Sequence, residues 1–266
     1  VAPAYTLTGA LGPTASEVGA QVPAIFAVGF IPMLLVALGY REFNLYMPDS
    51  GTSFTWATRA FGPWVGWMAG WGVIVATVVV LSNIAAIAVD FFYLMLAQLL
   101  GRPDVAALTD SLPVNIATCL IFIALATFVS YRDMQTTQRL QYALVGFQLV
   151  VFVGFGLVAL VRWLTGTAWN PTPIELSWFN PLAVPDASTF IAGVSLSLFI
   201  YWGWDVSLTV NEEVEDSGRT PGRAAVLTVL AIVSVYIVVT IGSMTFAGLG
   251  EEGIGLGNPA IQENVF

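Results

Sequence analysis

An all-α integral membrane fold is what this sequence predicts, on three observations. Of 266 residues, 57% are hydrophobic and only 9% charged, where a soluble domain carries about 25% charged residues. The mean hydropathy is +0.82. The apolar residues fall in repeated runs near the roughly 20 residues that a helix needs to cross a bilayer. A chain so poor in charge cannot cover a water-facing surface, so the lipid bilayer is its solvent. There a helix is favoured because it satisfies its own backbone.

The missing residue types exclude whole classes of chemistry. The chain has no His, and its basic residues are all Arg. A His-based triad or a His-ligated metal is therefore excluded within it. Cys119 is the single cysteine, which rules out an intrachain disulfide and a Cys-rich metal site. No metal and no cofactor are expected. The net charge of -9 speaks against a nucleic-acid partner.

In chain order, residues 1–12 are apolar but too few to span, and Val1 is not an initiator Met. They read as the remnant of a first helix, with no signal-peptide character. Spans follow near 22–40, 63–96, 114–130, 140–161, 189–210 and 224–247. The third is longer than one upright crossing requires and reads as a tilted helix. Its Trp64, Trp67 and Trp71 suit a membrane interface, and Gly62, Gly66, Ala69 and Gly70 would let another helix approach. The final GNPAIQENVF reads as the start of a truncated element, so the whole is expected to be a fragment of one transmembrane domain.

Arginine placement predicts orientation. Arg41 and Arg59, Arg132 and Arg139, and Arg219 and Arg223 lie in alternate loops, while the remaining loops hold only Arg102 and Arg162. Positive residues favour the cytoplasmic side. The Arg-rich loops are thus expected to be cytoplasmic in a multi-pass protein of the cytoplasmic membrane.

The sixth span is the anomaly. It runs LFIYWGWDVSLTVNEEVEDSGRTPGRAA from Leu198 to Ala225, apolar at first and then acidic. Gly203 between two Trp residues weakens a helix by about 1 kcal/mol relative to Ala. Asp205, two residues on, is placed to cap a restarted half-helix. Unwound backbone at membrane depth persists only where protein or a watery cavity surrounds it, and such breaks build substrate sites in secondary transporters. The same residues are equally consistent with an interfacial Trp pair, a packing Gly and a locally bonded Asp.

Phe199-Ile200-Tyr201-Trp202-Gly203-Trp204-Asp205, then Glu212-Glu213 and Arg219-Thr220-Pro221-Gly222-Arg223-Ala224, resembles the sixth-helix signature of amino acid permeases. The superfamily is that of amino acid–polyamine–organocation transporters. Met47-Pro48-Asp49-Ser50-Gly51-Thr52-Ser53-Phe54, with Phe61-Gly62-Pro63 and Gly70-Trp71, is similar to the family's segment leading into the third helix, and Ala2-Pro3 resembles part of its first helix. The resemblance implies a fold of inverted five-helix repeats, present here in part, from a helix-one remnant to helix seven. It implies a permease that moves amino acids or related amines by alternating access. The substrate amino group would meet carbonyls of Phe199, Ile200 and Tyr201, with Trp202 and Gly203 beside it and Ala2 and Pro3 near its carboxylate. Glu212 or Glu213 would serve an inner gate by pairing with Arg59 or Arg139. Gln148 falls where some proton-coupled members carry a Lys, so the coupling ion, H+ or Na+, is left open. A polyamine or organocation exchanger of the same fold is the alternative. A membrane-embedded transferase would need a constellation of acids, His or metal ligands that the sequence lacks, so no enzyme is expected.

Overall fold

The computed structural model describes residues 3–132 and 134–259. They form nine α-helices joined by turns and short 3-10 segments, with no strand among the described residues. In order these are α1 (Pro3–Val18), α2 (Val22–Tyr46), α3 (Ser53–Phe61), α4 (Pro63–Leu100), α5 (Leu112–Arg132), α6 (Met134–Leu164), α7 (Ala187–Ile200), α8 (Val206–Thr209) and α9 (Thr220–Ala247). Five stretches are long and apolar enough to cross a membrane: Thr6–Tyr46, Pro63–Leu100, Leu112–Arg132, Thr136–Leu164 and Thr220–Ala247. The α7 helix is apolar but shorter. α4 is unbroken for 38 residues, about 57 Å at the helical rise.

The chain divides into two compact units. One comprises residues 1–70 and 148–262; the other is built mainly from 71–147. In the second unit α5 meets α4 through polar and aromatic contacts. The hydroxyls of Tyr93 and Thr118 lie 3.1 Å apart, and the Phe92 and Phe122 rings pack edge to face. Arg102 and Asp104 form an exposed ion pair at 2.6 Å, of a kind that contributes little to stability.

The first unit holds two apolar cores. The larger takes Leu7, Leu11 and Val18 from α1, Ile25 and Phe26 from α2, Ile200 and Tyr201 from the end of α7, and Tyr236 and Met244 from α9. The smaller takes Ala37 from α2, Trp56 from α3, Trp204 and Leu208, and Ala225 and Val229 from α9. Close backbone approach lets α2 and α9 form the most extensive helix pair. A Cβ at Gly222 would lie 2.9 Å from the Cα of Arg41, so only glycine fits there. The small residues at the start of α4 receive α3: a Cβ at Gly66 would collide with Thr58, and one at Gly70 would press on Phe54.

Candidate functional site: the interrupted sixth span

The sixth span begins as an ordinary capped helix. Asp186 stands at the N-cap of α7 and accepts from the Thr189 backbone N–H at 2.9 Å. It also accepts from the Ser188 hydroxyl at 2.6 Å. These bonds, the Ser188 hydroxyl first and then the Thr189 N–H, lower its pKa to about 2. α7 then runs through Gly193 and Ser197, both buried against neighbouring helices.

After Ile200 the helix stops. Residues Tyr201–Asp205 form a turn, and only the four residues of α8 resume the helix. Gly203 adopts φ +93°, a conformation open to glycine and poorly tolerated by residues with a Cβ. The turn bridges the two cores, with Tyr201 1% exposed in the larger and Trp204 6% exposed in the smaller. Trp202, between them, is partly exposed.

Other helices hold the turn. The Tyr236 hydroxyl of α9 donates to the Ile200 carbonyl at 3.0 Å and is hydrogen-bonded to the Thr6 hydroxyl of α1. The Tyr201 hydroxyl donates to the Phe26 carbonyl of α2 at 3.0 Å. The rings of Tyr201 and Tyr236 pack with centroids 5.6 Å apart. On the other side Trp204 meets Tyr40 edge to face at 5.2 Å, and Tyr40 meets Trp56 likewise at 5.1 Å.

Of the carbonyls expected at the site, Phe199 O accepts from the Trp202 N–H at 3.2 Å, and Ile200 O is engaged by Tyr236. Gln148 lies on α6 with its side-chain oxygen buried and lacking a hydrogen-bond partner. Pro3 begins α1, and Ala2 lies outside the described residues.

One expectation needs correction. Asp205 does occupy the N-cap position of α8, but its side chain makes no capping bond. Its Oδ1 is buried without a partner. The residue has αR backbone angles, φ -71° and ψ -20°, whereas a capping residue is usually extended, so its carboxylate is poorly aimed at the next turn. Of the residues expected at an inner gate, Glu212 and Glu213 form no ion pair with Arg59 among the described residues; Arg41 pairs with its neighbour Glu42. Glu212 instead accepts from the Ser50 backbone N–H at 3.3 Å.

The hydroxyls of Tyr201 and Tyr236 and a pair of asparagines, Asn44 and Asn211, are no part of the motif that marks the site in the sequence. A signal was present, since a Tyr hydroxyl or an Asn amide inside an apolar run requires a partner when buried.

Helical spans packed about an interrupted one, with carbonyls at the interruption, are the architecture of secondary transporters. The family comparison agrees. A model described as amino acid permease matches residues 3–263. The low-affinity putrescine importer PlaP of Escherichia coli (strain K12) is 24% identical over 238 residues, covering 88% of this chain and 48% of that protein. The branched-chain amino acid permease BcaP of Lactococcus lactis subsp. cremoris is 25% identical over 222 residues, 77% of this chain and 44% of that one. The human large neutral amino acids transporter small subunit 2 is 24% identical over 231 residues, 87% and 41%. No solved structure matches. The chain belongs to the amino acid permease family, a family of multi-pass membrane transporters and not of enzymes. It spans about half the length of the curated relatives it matches.

Proposed function

We propose that the protein is a secondary transporter of amino acids or related amines, working by alternating access around the turn at Tyr201–Asp205. The observation that carries this reading is the helix interruption at Gly203 between two packed cores. A substrate ammonium is received by the carbonyls of Phe199, Ile200 and Tyr201, with Trp202 as the adjoining wall and Gly203 leaving room beside it. Ala2 and Pro3 approach the substrate carboxylate. Relatives named as putrescine and branched-chain amino acid transporters support a substrate with at least one amino group. They leave the amino acid and polyamine readings both in play.

The arginine distribution supports a cytoplasmic-membrane location with residues 41–62, 131–139 and 211–223 on the cytoplasmic side. Gln148 cannot titrate, so coupling does not follow the lysine-type proton switch at that position. The decisive experiment is uptake into proteoliposomes by the full-length protein, with labelled neutral amino acids and putrescine offered separately. Saturable uptake of either class supports the proposal and selects between its two forms. Uptake of neither, by protein that is folded and correctly inserted, overturns it.

A further inference from the structure

The four residues of α8 cannot hold themselves in place. An isolated helix shorter than about 12–15 residues is marginal even with good helix formers, and α8 has no side-chain cap. Something outside it must fix the half of the sixth span that follows the break.

A buried amide pair is placed to do so. Asn44, near the end of α2, and Asn211, just beyond α8, are both 0% exposed. The Asn211 Nδ2 donates to Asn44 Oδ1 at 2.8 Å. Asn44 Nδ2 donates to the carbonyls of Ser217, at 2.7 Å, and Gly218, at 3.2 Å, in the turn before α9. Asn211 Oδ1 accepts from the Ser50 hydroxyl at 3.0 Å, and the Ser50 N–H donates to Glu212. Four chain segments meet through two side chains, with both hydrogens of the Asn44 amide used. A buried network of this completeness is costly to leave half-made.

The loop that presents Ser50 is itself constrained. Asp49 Oδ1 accepts from the Gly51 N–H at 2.8 Å and the Thr55 hydroxyl at 2.7 Å. Thr52 adopts φ 41° and ψ -113°, which a β-branched residue takes only where its surroundings impose it. The Trp56 indole N–H donates to the Met47 carbonyl at 3.0 Å, and Trp56 reaches the break through Tyr40 and Trp204. The loop is thus anchored at both ends and offers Ser50 from a fixed place.

We propose that Asn44 and Asn211, with Ser50, form a latch that positions the post-break segment Trp204–Val210 against α2 and the start of α9. They are positioning residues, acting on the turn through α8. The effect of the latch on transport rests on the function proposed above; its effect on α8 does not.

Amide hydrogen exchange in the full-length protein tests the latch without any substrate. Asn211→Ala, which removes two hydrogen bonds, and Asn44→Ala, which removes three, should each speed exchange in peptides covering 204–210, by on the order of fivefold or more. Exchange in α7 and in the middle of α9 should stay at the wild-type rate. The two substitutions remove one shared bond, so the double variant should exchange less fast than the product of the single effects predicts. Ser50→Ala should act in the same place and more weakly, and it decides the matter if the asparagine variants fail to assemble. Unchanged exchange at 204–210, or equal acceleration throughout α7 and α9, overturns the latch. If uptake is measurable, the variants should raise KM more than they lower the maximal rate. A protein that carries neither amino acids nor amines but shows the local exchange effect would refute the transport proposal and keep the latch.

Discussion

The two halves of the sixth span are supported in opposite ways. α7 has 14 residues, a carboxylate cap at Asp186 and a continuous ladder up to Ile200. The half beyond the break has four helical residues, an aspartate that caps nothing, and a buried Leu208. The first half is a helix by its own hydrogen bonds. The second is held by side chains of α2, α3 and α9 and by its place in the smaller core. The contrast teaches that a membrane span can be interrupted when the neighbours supply what the lost ladder no longer does. Here the supplied groups are hydroxyls and amides, which are neutral and therefore less costly to bury than charges.

The sharpest way to break this comparison is Gly203→Leu. The backbone at φ +93° resists any Cβ, and a leucine there favours a continuous helix in lipid. Uptake by the full-length protein should be lost while expression and membrane insertion persist. Normal transport at wild-type expression would mean that the interruption is only a packing feature. Next in size is Leu208→Ala, which empties a fully buried site in the smaller core. Losses of about 2–5 kcal/mol accompany such truncations, and they should appear in unfolding monitored by denaturant. A change at the exposed Ser195 of α7 should cost far less by the same measurement.

The two aspartates sharpen the comparison further. Asp186→Ala should lower the unfolding temperature slightly, because it removes a formed cap. The folded pKa is depressed, so the carboxylate's contribution is present above its ordinary pKa near 3.8 and is lost as pH falls through about 2. The difference between Asp186→Ala and wild type should therefore shrink in acid, as thermal unfolding at several pH values would record. Asp205→Asn should not destabilise the fold, since no cap is lost and a neutral amide costs less than a carboxylate to bury without a partner. A marked destabilisation would restore Asp205 to the capping role that the sequence alone implied.

Much of the fold was legible before any coordinates. Long apolar runs and the scarcity of charge require an all-α membrane protein, and the Trp-Gly-Trp-Asp motif marks a weak point in the sixth span. The helix does stop there, because a glycine with positive φ ends a ladder locally. What remained hidden depends on partners distant in sequence. Asp205 stands two residues after a glycine and precedes an apolar turn, as a cap would, yet its aim is set by backbone angles that no residue pattern fixes. Tyr236 looks like one more aromatic in an apolar helix until Ile200, 36 residues away, is brought beneath its hydroxyl. Glu212 and Arg59 have opposite charges, but the fold brings the Ser50 N–H to Glu212 instead.

The glycine at the crossing of α2 and α9 has a consequence in the language of genetics. At Gly222 every missense codon adds at least a Cβ, and that atom would stand 2.9 Å from the backbone of Arg41. Backbone cannot swing aside as a long side chain can. In a library of all single substitutions, position 222 should therefore be a column in which every allele is depleted, while the exposed Leu227 on the same helix accepts most apolar replacements. Selection at this crossing acts on the absence of a side chain.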